Sequence, residues 1–270
     1  MQNFNLVKKA FSHQSEIFDK LDEQNNILKW MRKITREHVN RYLRKEDTIL
    51  ELNAGTGIDA VYFATMGHKI HCIDISEGML KKLEEKVKNQ KLNHLITKQL
   101  LSFTELNKIN GKTFDYIFSN FGGLNCTNNI KQVVNQFKTV LTKCGRITLV
   151  ILPKICPWEM ASIFKGNFKT AFRRMAKNGV SANIDGFKFK TFYYSVSDLK
   201  KALMDDFIIL EIQGLASISP PPYIDEISNY YPNIYKNLTK IDEKFSNIFP
   251  FNSWADHFIL TAELKQYKNN

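Results

Sequence analysis

The feature that most constrains this chain is a regular alternation of strand and helix patterns over about a hundred residues. A short apolar run at 48–52 is followed by a glycine turn and helical spacing at 58–66. Strand patterns then recur at 69–74, 95–100 and 114–119, with a helix pattern at 77–88 between the first two of these. The rhythm continues with helix 130–142, a glycine turn at Gly145 and an apolar strand at 146–152. Strands that are continuously apolar and separated by helices are buried on both faces, which predicts a parallel sheet with helices packed on each side.

Beyond Pro153 the rhythm changes. A long insertion precedes a helix at 196–204 and a strand at 207–213, a second insertion follows, and a final strand covers 256–263. With no helix pattern between them, the last two strands are expected to pair as antiparallel neighbours. The fold class is thus a Rossmann-like, seven-stranded, mostly parallel sheet with an antiparallel last strand and helices on both faces. The insertions after strands 5 and 6 are expected to form a substrate lid. The domain reading is an N-terminal helical cap segment at 1–46, including an amphipathic helix at 27–43. A main domain follows at 47–264, with lid insertions at about 154–195 and 216–253, and a C-terminal tail at 265–270.

Composition excludes several classes. Apolar residues make up 43% and charged residues 24% of 270, ordinary values for a chain with one substantial core. No segment reaches the roughly 18 uncharged apolar residues needed to span a bilayer, and the N-terminus carries Lys8 and Lys9 without a following apolar run, so a cytoplasmic location is expected. Cys72, Cys126, Cys144 and Cys156 form no CxxC pair and read as reduced core thiols. The net charge of +11 admits a polyanionic partner, but the lysines are spread along the chain, which argues against nucleic acid as the target. No His, Cys or carboxylate set has metal spacing, so no metal is expected.

The chemistry is concentrated at the carboxyl ends of the strands. The first strand ends in Glu51 and runs into Asn53, Ala54, Gly55, Thr56 and Gly57, a loop whose backbone amides can approach a nucleotide-like ligand. Alone it is ambiguous, because Gly55 to Ala60 also fits the GxGxx(G/A) pattern of dinucleotide-binding enzymes. Asp74 closes the second strand before Ile75, Ser76 and Met79, where a carboxylate can accept from two ribose hydroxyls and the apolar pair can flank a base. Asn120, Phe121 and Gly122 follow the fourth strand, near the topological switch where open α/β sheets bind ligands.

Together these segments resemble the class I S-adenosylmethionine-dependent methyltransferases. Residues 51–57 are similar to the family's (D/E)xGxGxG motif, with Asn53 in place of the first glycine; asparagine tolerates left-handed backbone. The segment around Asp74 resembles (D/E)xSxxM, and 114–124 resembles the fourth-strand segment that begins with Asp115. The resemblance implies S-adenosylmethionine as cofactor and S-adenosylhomocysteine as product. It assigns the cofactor to Glu51, Asn53, Ala54, Gly55, Thr56, Gly57, Asp74, Ile75, Met79, Asn120, Phe121 and Gly122. Where the family often places an acid after the third strand, this chain has Leu101 and Ser102, which are expected to serve the adenine instead.

Other features are weighed beside this. Ser219-Pro220-Pro221-Pro222-Tyr223 looks like an amino-methylation signature but lies far from the fourth strand, so a stiff turn bordering the pocket is the better reading. Residues 158–177 read as one basic amphipathic helix, with three roles open: packing on the sheet, a substrate lid, or contact with an anionic membrane surface. His257 beside Asp256 is the candidate general base. Phe18 and Phe121 are candidates to face a sulfonium. Phe164, Phe168, Tyr193, Tyr194 and Tyr223 are expected to bind a small hydrophobic or aromatic substrate. A nicotinamide-dependent oxidoreductase and a catalytically silent binding module are the alternative functions. Neither the acceptor atom nor the oligomeric state is legible in these patterns.

Overall fold

A computed structural model describes residues 2–109 and 111–266. The sheet contains β1 (Thr48–Leu52), β2 (Lys69–Asp74), β3 (Ile96–Leu100), β4 (Phe114–Ser119), β5 (Leu141–Ile151), β8 (Phe207–Leu215) and β9 (His257–Leu264). A separate hairpin is formed by β6 (Val180–Ile184) and β7 (Phe187–Thr191). The helices are α1 (Gln2–Gln14), α2 (Phe18–Gln24), α3 (Asn26–Tyr42), α4 (Ile58–Thr65), α5 (Glu77–Asn89), α6 (Ile130–Val140), α7 (Pro157–Met160), α8 (Phe168–Phe172), α9 (Val196–Leu203), α10 (Glu226–Tyr230) and α11 (Pro232–Phe245).

The seven strands lie in the order β3-β2-β1-β4-β5-β9-β8, with β1 to β5 parallel. β9 runs antiparallel to both β5 and β8, so the last strand enters between its predecessors instead of adding at the edge. Alternation along each strand divides the core. Leu50, Leu52, Ile117, Leu149 and Leu260 face α6 and α9, whereas Ile49, Ile70, Tyr116 and Phe118 face α4 and α5. Ile27, Met31 and Ile34 of α3 cover Val150 and Ile259 beside them. Burying such side chains is worth about 1.5–3 kcal/mol each, which is why the pattern specifies the register as well as the fold.

Two expectations need correction. Helix 130–142 stops at Val140 and the fifth strand begins at Leu141, turning at Cys144, whose φ is +58°, before Gly145. Residues 158–177 do not form one helix. The short helix α7 passes into a tight turn at Ala161–Lys165, Gly166 takes a left-handed φ of 73°, and Asn167 caps α8 by accepting from the Thr170 N–H. A glycine stop followed by an asparagine start outweighs the apolar periodicity. Within the cap segment, α1 crosses the ligand end of the sheet, and the Asn3 side-chain amide donates to Cys126 O at 3.0 Å and Lys190 O at 3.1 Å, tying it to the fourth-strand loop and to β7. Of the expected tail, 265–270, residues 267–270 lie outside the described residues.

Candidate active site

The ligand loop takes its shape from left-handed backbone. Asn53, Gly55 and Gly57 have φ of 47°, 57° and 75°, so asparagine occupies the first of these positions as its tolerance for this region allows. Its side chain is engaged: Ser119 Oγ donates to Asn53 Oδ1 at 2.7 Å, and Asn53 Nδ2 donates to Asn120 O at 3.2 Å. A β-carbon on Gly57 would meet Leu83 at 2.8 Å, so this glycine lets α4 start close against α5. A β-carbon on Gly55 would meet nothing within 4 Å, because it opens into a cavity.

That cavity holds about 180 Å³, far beyond the roughly 10–15 Å³ that one water requires. Its floor is made by Glu51, Asn53, Ala54, Gly55, Thr56, Asp74, Ile75, Met79, Leu101, Asn120 and Phe121, all expected cofactor residues. Gly57, Ser102 and Gly122 do not reach it. Gly57 packs on Leu83, Ser102 shares its hydroxyl with Thr104 at 2.7 Å, and Gly122 provides the left-handed turn after Phe121, with Gly123 on the wall instead.

Three acids set the electrostatics. Asp74 is buried at the end of β2 and accepts from the Gly55 N–H at 2.9 Å and the Ser76 N–H at 2.8 Å, so it braces the loop as well as facing the cavity. Burial raises its pKa, against the pull of these backbone bonds. Glu51 has a single donor among the described residues, the Cys72 thiol at a distant 3.9 Å. Burial, and then the neighbouring Asp59, push its pKa well above the usual carboxylate range, despite Arg32 and Arg36. Asp59 stays ionised because it bonds Arg32 and Arg36 and accepts from Asn120 Nδ2 at 2.8 Å, which outweighs its own burial.

Of the outer wall, only Phe18 was foreseen. Phe4, Val7 and Phe11 of α1, Phe18 of α2, and Phe103 and Cys126 form this wall, with Arg32, Ile58 and Asp59 also on the lining. Phe4 meets Phe103 edge to face at 5.6 Å. The spacing 4, 7, 11 was a helical stripe visible in the sequence. The cap is latched by Lys8 to Glu77 at 2.7 Å, Ser12 to the Ser76 hydroxyl at 2.8 Å, Lys86 to Asp19 at 2.7 Å, and a bond from Thr56 to Asp19.

The five expected substrate residues are elsewhere. Phe164 and Phe168 are 93% and 61% exposed, Tyr223 is 57% exposed, Tyr193 lies under the Arg174 guanidinium at 5.2 Å, and Tyr194 donates to Thr127 O while packing on the core. His257 stands one layer behind the cavity. Its Nδ1–H donates to Asp256 Oδ2 at 2.9 Å, its ring meets Phe121 edge to face at 5.9 Å, and no described residue bonds its Nε2. Phe121 itself carries the Arg32 guanidinium at 4.7 Å. Among the described residues no group of three His, Cys, Asp or Glu could hold a metal.

Comparison with known proteins agrees with this geometry. Residues 49–145 match the family model described as a methyltransferase domain. An uncharacterized protein of Methanocaldococcus jannaschii is 26% identical over 204 residues, covering 73% of this chain and 74% of its own. Among solved structures, the 1,6-didemethyltoxoflavin N1-methyltransferase of Burkholderia thailandensis, with its substrate and S-adenosylhomocysteine bound, superposes with a TM-score of 0.60 at 14% identity. That alignment covers 98% of this chain and 90% of the other. An S-adenosylmethionine-dependent methyltransferase of Clostridium acetobutylicum gives 0.57 at 16% identity, over 93% and 97%. The nicotinamide alternative loses its footing, since dinucleotide folds of the order 3-2-1-4-5-6 do not place an antiparallel strand between the fifth and sixth.

Proposed function

We propose that this chain, which carries a methyltransferase domain on the class I fold, methylates a small apolar or aromatic molecule held beneath its N-terminal cap. The observation that carries the reading is the cavity that brings Gly55, Asp74 and Glu51 together with Phe4, Val7, Phe11 and Phe18. The cofactor is S-adenosylmethionine, released as S-adenosylhomocysteine. When bound it would supply an electrophilic methyl group, and S-adenosylhomocysteine would leave as a neutral thioether when an acceptor lone pair attacks the methyl carbon in line.

The residues fit that cofactor chemically. Asp74 keeps lone pairs for ribose hydroxyls beyond those used on Gly55 and Ser76, while Ile75, Met79 and Leu101 offer apolar faces to the adenine. Glu51 is a buried acid short of donors, so a cationic ligand beside it would favour its ionised form. Phe18 and Phe121 line the cavity where a sulfonium would lie, Phe121 already carrying the Arg32 guanidinium on one face. Alignment and exclusion of water supply the rate, up to about 7–11 kcal/mol in favourable intramolecular cases. His257 enters as the proton acceptor for an acceptor group that must lose one, because Asp256 fixes the proton on Nδ1 and leaves Nε2 open. The four free cysteines suit a reducing, cytosolic setting.

Titration calorimetry with S-adenosylmethionine, S-adenosylhomocysteine and NADPH tests the reading. Preference for the first two, and their absence from competition with NADPH, is expected; preference for NADPH overturns it. Mass spectrometry of a copurified ligand then identifies the acceptor.

A further inference from the structure

The segment from α7 to Met175 reverses the usual arrangement of a water-facing element. Its inner side is polar: buried Glu159 and Arg174 pair at 2.7 Å, Arg174 reaches buried Asp256 at 2.7 Å, and Arg173 closes on Glu159 at 2.6 Å. Its outer side is apolar: Phe164, Phe168, Phe172 and Met175 are 93%, 61%, 45% and 42% exposed. The ion pairs anchor the segment at the start of β9, so these side chains are held outward by a fixed base.

The charge falls in the same place. Residues 154–195 contain eight basic and two acidic side chains, so six of the chain's eleven net positive charges lie in this insertion, correcting the reading of an even spread. Lys165, Lys169 and Lys177 are exposed around the phenylalanines, and none of them is in an ion pair among the described residues. Aromatic side chains directed at solvent and interspersed with unpaired lysines are the chemistry that recognises an anionic lipid surface. A single-stranded nucleic acid would call for a basic groove with aromatics along it, whereas these rings are directed at solvent, Phe164 almost wholly so. A second copy would set two strongly positive faces against each other.

We propose that this face docks on an anionic phospholipid bilayer, with Phe164, Phe168 and Phe172 entering the headgroup boundary and Lys165, Lys169 and Lys177 meeting lipid phosphates. The proposal does not depend on the cofactor or on turnover. Flotation of the full chain is the test, using vesicles of phosphatidylcholine alone and of phosphatidylcholine mixed equally with phosphatidylglycerol. Binding to the mixed vesicles should be at least about tenfold tighter and should fall with salt. The variant F164S/F168S/F172S should lose it, as should K165E/K169E, with thermal unfolding unchanged because all five positions are exposed. A Phe164→Trp variant should show a blue-shifted emission only with the mixed vesicles. Equal binding to both compositions, or binding unaffected by either multiple variant, overturns the proposal. So does a concentration-dependent dimer that Phe168→Ser abolishes, or tight RNA binding with no affinity for vesicles.

Discussion

Asn53 and Gly123 share one small volume: a β-carbon on Gly123 would stand 2.2 Å from the side-chain amide of Asn53. Asparagine at the position where the family has glycine is therefore accommodated by glycine on the opposite loop. Gly123→Ala should force Asn53 out of its bonds to Ser119 and Asn120, a cost of about 1–3 kcal/mol for overpacking. Asn53→Gly added to Gly123→Ala should recover most of that loss. Chemical denaturation of the two variants checks this, and a double variant no more stable than Gly123→Ala alone would refute the shared volume.

This pair shows where sequence reasoning reached and where it stopped. The left-handed backbone at Asn53 follows from residue chemistry, but its contact with Gly123 crosses seventy residues and leaves no local pattern. The parallel sheet was legible because two-sided burial makes strands such as 146–152 predominantly apolar, with five of seven residues Ile, Leu or Val. The place of β9 between β5 and β8 was not, since strand composition carries no neighbour order. The cavity floor was legible because glycine and acid positions have backbone reasons. Its outer wall depends on α1 meeting Cys126 and Lys190 through Asn3, so the aromatic-rich insertions attracted the substrate assignment instead.

Asp74 both braces the loop and faces the cavity, so its removal should have two readouts. Asp74→Ala should weaken S-adenosylmethionine by about 1.5–3 kcal/mol, the worth of hydrogen bonds to a charged group. Asp74→Asn, with the same shape, should lose less. Calorimetry on both variants tests this; unchanged affinity in Asp74→Ala would remove the ribose from this carboxylate.

His38 predicts how stability depends on pH. It is fully buried, with Nδ1 2.7 Å from Gln213 Oε1 and Nε2 2.8 Å from Thr261 Oγ1. Burial lowers its pKa to about 4, outweighing the bond to Gln213 and the charge of Glu211. The unfolded chain takes up a proton near the ordinary 6.5 and the folded chain resists until about 4, so this contribution is complete above 6.5 and is lost as pH falls towards 4. The interval corresponds to about 3 kcal/mol. Urea unfolding of the wild type and of His38→Gln at neutral and mildly acidic pH should show the steeper decline in the wild type; parallel declines would count against it.

The role of His257 turns on whether one aromatic layer separates it from the reacting atoms during turnover. Asp256 accepts from His257 Nδ1 and is itself held by Arg174, and, burial notwithstanding, His257 and Arg174 keep the Asp256 pKa down at about 2, so it stays an aspartate. The open Nε2 is then a proton acceptor whose access depends on Phe121, whose own backbone sits at a left-handed φ of 44°. If His257 takes the proton, His257→Ala should lower kcat by about 10²- to 10⁴-fold and abolish the acidic limb of the pH profile, leaving cofactor affinity intact. If it only supports the Phe121 ring, the loss should be small, independent of pH and reproduced by Phe121→Leu. Full turnover in His257→Ala with an unaltered pH profile would set aside the proton-acceptor role and leave methyl transfer to alignment within the cavity alone.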